Sequence, residues 1–204
     1  MKRMLLFFVI LLCNFAVSVA QPNLVVRTGY NHSTWGFRGD DKNTWVSGFN
    51  IGATTDLGRG EHACFRPGIY FTAKGYGHDD GVVPRVSLNY LEMPLLAVFK
   101  IGLGDNVKLE FQSGVYFAYG IGGKTKIEDS VVISPKDNSK SIKYIKEKSF
   151  GSNSEEDPFD MGVNVGMGVN YKRLFVGVSY DFGVIISCKN THNCFMANVG
   201  YRIF

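Results

Sequence analysis

The sequence predicts an all-β protein, an eight-stranded antiparallel up-and-down transmembrane β-barrel. Three observations carry that expectation. The run Met161–Asn170 places Met or Val at every odd position and Gly or Asn at every even one, so a strand of period two shows one oily face and one small polar face. The same two-faced pattern recurs along the chain behind an export-like N-terminus. After Ala20 no apolar stretch approaches the roughly 20 residues that a membrane helix needs, and among strand structures only a closed barrel pairs every backbone group in lipid.

The N-terminus reads as a secretory signal. Lys2 and Arg3 precede the apolar run Met4 to Val17, and Ser18, Val19 and Ala20 supply small residues for cleavage. Residues 1–20 are thus expected to be removed and residues 21–204 to form one barrel domain. Leu12 before Cys13 argues against lipid attachment there. Loss of Lys2 and Arg3 lowers the formal charge from +4 to +2, which leaves no nucleic-acid footprint.

Eight strand candidates follow in order. The first, Leu24 to Asn31, sets Leu24, Val26, Thr28 and Tyr30 against Val25, Arg27, Gly29 and Asn31. The second, Trp45 to Thr55, and the third, Cys64 to Lys74, oppose Phe49 and Ile51, then Ile69 and Phe71, to Gly, Asn, Thr, Arg66 and Lys74. The fourth, Val86 to Ile101, carries Leu91 to Phe99 opposite Glu92 and Lys100, while Val86, Leu88 and Tyr90 are apolar on the other parity and suggest a bulge near Tyr90. The fifth, Val107 to Gly120, opposes Leu109, Phe111 and Phe117 to Lys108, Glu110, Gln112 and Gly114. The sixth is Phe159 to Asn170, the seventh opposes Val176, Val178 and Phe182 to Ser179 and Asp181, and the eighth, Cys194 to Phe204, opposes Val199 and Tyr201 to Asn198 and Arg202.

Connections near 32–44, 75–85, 121–158 and 187–193 are longer on the whole than those near 56–63, 102–106 and 171–173. Outer-membrane barrels have short periplasmic turns and longer outer loops, so the first set is expected outside and both chain ends in the periplasm. This division is expected to leave no residues for a plug before strand one or a peptidoglycan-binding domain after strand eight.

A soluble lipocalin-type barrel also alternates and is also secreted, so the faces must decide. The smaller face mixes Arg27, Arg66, Lys74, Glu92, Lys100, Lys108, Glu110, Asp181 and Arg202 with Gly and Asn. In water so much Gly would cover the surface thinly and weaken the strands; in a narrow lumen, charges of both signs find partners. The expected lumen charge network is Arg27, Lys74, Glu92, Lys100, Glu110, Asp181 and Arg202. Tyr30, Trp45, Phe99, Tyr119, Phe175 and Tyr180 suit interfacial girdles. Lysine at Val165 or Val178 should then block insertion, whereas lysine at Gly166 should be accommodated.

Cys188 and Cys194 bracket Lys189 to Asn193 and would face each other across a hairpin tip, so a disulfide is expected between them, with two unpaired thiols as the alternative. Cys64 is left over.

At Tyr90, Leu91, Glu92, Met93, Pro94, Leu95 the chain resembles the Bacteroidetes outer-membrane β-barrel family called PorT-like. Gly114-Val115-Tyr116, the Gly-rich sixth strand and Val199-Gly200-Tyr201-Arg202 resemble it in the same order. The resemblance implies an eight-stranded barrel in the outer membrane of a Gram-negative bacterium; some relatives are tied to secretion or gliding machinery. One departure is the terminal Phe204, which falls out of phase with Phe195, Val199 and Tyr201.

An eight-stranded barrel is filled by its own side chains, which disfavours a wide pore. His32 beside Ser33, and His78 beside Asp79 and Asp80, are the residues a lipid-modifying enzyme would draw on, yet neighbours in a strand point to opposite faces, so His32 and Ser33 should not pair. His32, His78 and His192 lack metal-ligand spacing, so no metal or other cofactor is expected. Pro94 should open one ladder bond and mark a local bulge.

The fifth connection, Ile121 to Asp157, holds seven Lys and seven acids, with Ser and Asn between. It is either a solvated loop or, through Val131, Val132, Ile133, Ile142, Tyr144 and Ile145, a hairpin that prolongs the strands above the membrane. The expected function is a non-catalytic structural or binding component of the envelope. Its expected partners are outer-membrane lipid, the barrel assembly machinery and an unidentified protein or glycan.

Overall fold

Alternation of large apolar and small polar residues generates long strands, which the computed structural model describes over residues 23–36, 43–58, 60, 62–78, 85–133, 140–148, 158–184 and 191–203. They are β1 (Asn23–Gly36), β2 (Asn43–Asp56), β3 (Ala63–His78), β4 (Arg85–Gly102), β5 (Val107–Ile133), β6 (Lys140–Lys148), β7 (Phe159–Tyr171), β8 (Leu174–Gly183) and β9 (Thr191–Arg202). All pairings are antiparallel. β1 pairs with β9 and β4 with β5, so eight strands close into a barrel and no edge is left over. Among the described residues β6 is a ninth strand outside the ring, paired only with the upper part of β5.

The burial pattern settles the choice between a lipid-facing and a water-facing exterior. Large apolar residues point out, among them Phe99, Val165, Val176 and Val178, whereas Arg27, Arg66, Lys74, Glu92, Glu110 and Asp181 are buried inside. A soluble barrel would have the reverse distribution, because exposed apolar area on this scale is stable only against acyl chains. Outward aromatics cluster near both rims: Tyr30, Trp45, Tyr119 and Phe159 at the long-loop end, and Phe65, Phe99, Tyr171 and Tyr201 at the short-turn end. Phe175 does not join them: it is buried in the lumen beneath Arg27, whose guanidinium lies 3.8 Å from the ring centroid.

The short turns hold register. Leu103 donates to the carbonyl of Val107 at 2.9 Å, and Lys172 takes a positive φ of 54° in the two-residue turn between β7 and β8. At the other end the strands run past their expected limits, with β1 reaching Gly36 and β3 reaching His78. A period-two signal fades where both faces become wet, although the ladder continues.

Two expectations about β4 need revision. A register shift does occur beside Tyr90, but the extra residue is Ile121 on β5, since Tyr90 pairs with Gly120 and Asn89 with Gly122. β4 keeps one parity throughout, so Val86, Leu88 and Tyr90 face inward and pack with Tyr76, Tyr116 and Ala118 as an apolar cluster at the long-loop end of the lumen. Pro94 produces no bulge. Pro67 pairs with Leu95 and Tyr70 with Glu92 in constant register, and the ladder skips only the positions between them, where Pro94 has no N–H to give.

Interior glycines make room for specific rings. A Cβ on Gly162 would lie 2.8 Å from the Tyr116 hydroxyl, and one on Gly177 would lie 2.5 Å from Phe175 Cζ. Gly166 is equally confined, with Ser179 Cβ at 2.7 Å and the Val178 carbonyl at 2.8 Å from the added carbon. Lysine at Gly166 is therefore not accommodated, contrary to the sequence-based expectation.

Candidate functional site

Inward parity collects the charged residues of the lumen into two groups stacked along the barrel axis. The group nearer the short turns is centred on Arg66 of β3. Its Nε lies 2.5 Å from Asp56 Oδ1, and its Nη1 and Nη2 donate to Glu110 Oε1 and Oε2 at 2.6 and 3.0 Å. Lys100 reaches Asp56 at 2.5 Å, Arg27 reaches Glu110 at 3.2 Å, and Asn170 donates to Glu110 at 2.7 Å. One guanidinium thus bridges carboxylates from β2 and β5, the forked geometry for which Arg is suited and Lys is not.

The second group surrounds Lys74. Its ammonium stands 2.9 Å from Glu92, 3.4 Å from Asp181 and 3.7 Å from Asp160, and 4.5 Å from the centroid of Tyr116. Asn164 donates to Asp181 at 2.6 Å, and the Tyr116 hydroxyl donates to Asp160 at 3.4 Å. His192 Nδ1 lies 3.7 Å from the same Asp160 oxygen. The Arg66 group carries three cations and two carboxylates, and the Lys74 group one ammonium and three carboxylates. Basic side chains therefore outnumber carboxyl groups toward the short turns, and carboxyl groups outnumber basic side chains around Lys74 toward the long loops.

Of the charged residues expected in the lumen, Arg27, Lys100 and Glu110 meet in the first group and Lys74, Glu92 and Asp181 in the second. Arg202 lies at the short-turn end, where its Nε has no hydrogen-bond partner among the described residues. Asp56, Asp160, Asn170 and His192 were missed. Asp56 and Asp160 sit on strand ends that the sequence reading assigned to connections or left unremarked, yet each has the inward parity of its strand, Asp160 in step with Gly162 and Asn164.

Of the residues an enzyme reading would use, His32 and Ser33 fall on opposite faces of β1 and do not pair. His32 points outward and stacks on Trp45 with centroids 5.1 Å apart. Ser33 points inward, where its hydroxyl donates to the Gly75 carbonyl at 2.9 Å and accepts from the Gly75 amide at 2.8 Å. Asp79 and Asp80 lie outside the described residues, as do residues 1–20, Cys188 and Phe204. Among the described residues Cys64 and Cys194 are joined to no other cysteine, Cys194 being buried against the lumen; Cys188, its expected partner, lies outside them. No group of three or more His, Cys, Asp or Glu able to hold a metal ion occurs among the described residues.

The other distinctive feature is the hairpin of β5 and β6. β7 leaves β5 at the Tyr119–Phe159 pair and β4 leaves it at Lys126–Arg85, while β5 continues to Ile133. Beyond Lys126 it pairs, among the described residues, only with β6, from Ile127–Ile145 to Ile133–Lys140. Of the two readings of the fifth connection, the prolonged hairpin is the one that forms.

The chain matches the family model described as outer membrane protein beta-barrel domain over residues 19–187. In fold it is similar to Ail, the attachment invasion locus protein of Yersinia pestis solved with the heparin analogue sucrose octasulfate, at 14% identity and a TM-score of 0.47 over 90% of this chain and 100% of that one. It is similar to Neisserial surface protein A at 13% identity and a TM-score of 0.47, over 89% and 97% of the two chains. It is also similar to the outer membrane enzyme PagL at 12% identity and a TM-score of 0.51, over 87% and 99%. No curated protein matches the chain in sequence.

Proposed function

Because the chain belongs to the family of outer membrane protein β-barrel domains, we propose that it is a non-catalytic component of the cell envelope. It recognises an extracellular or envelope protein or glycan through the β5–β6 hairpin. The observation that supports this reading is the length of β5, 27 residues against 10 to 18 in the other barrel strands. Six pairs of that hairpin, from Ile127–Ile145 outward, have no neighbour in the ring among the described residues. A two-stranded ribbon alone is marginally stable in water, so a hairpin held out by a rigid barrel is suited to pairing with or covering a partner surface.

In this reading residues 1–20 are a cleaved signal, the long connections face outward, and barrel assembly machinery inserts the chain. The Tyr-Leu-Glu-Met-Pro segment relates it to PorT-like barrels of Bacteroidetes, and a secretion or gliding role would use the same hairpin as a docking element. A lumen filled by Arg66, Tyr90, Tyr116 and Leu88 suits a scaffold better than a diffusion channel.

Photo-crosslinking from residues 131 and 142 in intact cells tests the proposal. A discrete adduct should form, and it should disappear when residues 127–145 are replaced by a two-residue turn while the barrel still shows heat-modifiable migration. Absence of any adduct from these two sites, with the full hairpin present and surface-labelled, would refute recognition through this element.

A further inference from the structure

We infer that the base of the hairpin carries a binding site for the phosphorylated headgroup of an outer-leaflet lipid. Register fixes the arrangement. Ser87 of β4, Lys124 of β5 and Lys148 of β6 lie in one row across three strands, and Arg85, Lys126 and Lys146 lie in the next. Residues directly opposite in an antiparallel pair share a face. Ser87 is exposed while Val86 and Leu88 are buried, so both rows belong to the exterior face of the barrel. The one-residue bulge at Ile121 brings this about: without it Lys124 and Lys126 would fall on the lumen parity of Gly120 and Ala118.

Five basic residues therefore hold register positions two rows deep and three strands wide on this face, with neighbouring strands about 4.8 Å apart and rows about 7 Å apart. Lys124 stands directly opposite Lys148, and Lys126 opposite both Arg85 and Lys146. Like charges placed opposite each other destabilise a sheet. The one acid in the next register pair on this face is Glu128, opposite Tyr144; residues 155–157 lie outside the described residues.

The height of the patch selects the occupant. Exterior Tyr119 and Ile121 are exposed apolar residues at the top of the lipid-facing belt. Lys124 is three residues above Ile121, about 10 Å along the strand and about 7 Å in height at a 45° tilt. The headgroup zone extends roughly 5–7 Å beyond the hydrocarbon on each side, so the lower row meets it. The patch is also continuous with the surface that touches acyl chains. A phosphorylated lipid headgroup satisfies both conditions, supplying anions at that height on a molecule already anchored beside the strand. The inference shares with the proposed function only the outward placement of the hairpin.

The experiment uses the full mature barrel in lipid nanodiscs containing bisphosphorylated lipid A, the same lipid with its phosphates removed, or neither, with retained lipid counted by native mass spectrometry. Bisphosphorylated lipid A should be retained, and the dephosphorylated form at least about ten-fold less. Lys126→Gln/Lys146→Gln should weaken retention by about five-fold per cation removed, with heat-modifiable migration unchanged. If the variant fails to fold, the comparison between the two lipids on the unmodified chain still decides. Equal retention of both lipids, or equal retention by the folded variant, overturns the inference. So does tight binding of soluble inorganic polyphosphate with no preference for the lipid, which would mark a site for soluble polyanions. Each of these outcomes is independent of crosslinking at residues 131 and 142, so the two proposals fail separately.

Discussion

Replacing Arg66 with Met removes the centre of the larger lumen network while keeping most of its volume. Arg66 makes four contacts with two carboxylates: Asp56 at 2.5 and 3.2 Å, and Glu110 at 2.6 and 3.0 Å. In the variant Asp56 keeps Lys100, and Glu110 keeps Arg27 and Asn170. Neither carboxylate is left without a partner, so the loss should fall at the lower end of the range for a broken buried pair, about 3 kcal/mol. Glu110→Gln strips Arg27 and Arg66 of a shared anion and should cost a similar amount. The double variant should cost less than the sum by about 2 kcal/mol, since the second change removes a charge already deprived of its partner. Urea unfolding in lipid vesicles, followed by fluorescence of Trp35 and Trp45 and by heat-modifiable migration, measures all three. A loss under about 1 kcal/mol for Arg66→Met, or strict additivity in the double variant, would refute the view that this bridge holds the strands together.

Val165→Lys and Val178→Lys should each lower barrel stability by about 2–4 kcal/mol at the membrane midplane, read as lost insertion into vesicles; normal insertion would mean that these faces do not touch lipid. Gly162→Ala should cost about 1–3 kcal/mol in the same unfolding assay, because the added carbon would meet the Phe182 backbone carbonyl as well as the Tyr116 ring; an unchanged midpoint would show that the strands yield at this point. Alkylation of the folded barrel should modify the half-buried Cys64 faster than the buried Cys194. In denaturant without reductant, modification of Cys194 would show that no bridge to Cys188 exists, and its protection would show that one does.

Much of the barrel was legible because a strand writes its two environments directly into alternate positions. Met161 to Asn170 determined a lipid face and a lumen face with no reference to any other part of the chain, and the same parity placed Arg27, Lys74, Glu92, Glu110 and Asp181 inside. The alternation says which residues share a face, but it holds no record of which distant strand stands opposite. The tertiary structure alone therefore decided that Arg66 bridges Asp56 and Glu110, that Lys74 stands among three carboxylates, and that Phe175 lies under Arg27 rather than in a girdle. It also decided the course of β5 past the rim. A single added residue at Ile121 exchanges inside for outside, and local composition leaves no trace of it, because a bulge exists only relative to the partner strand.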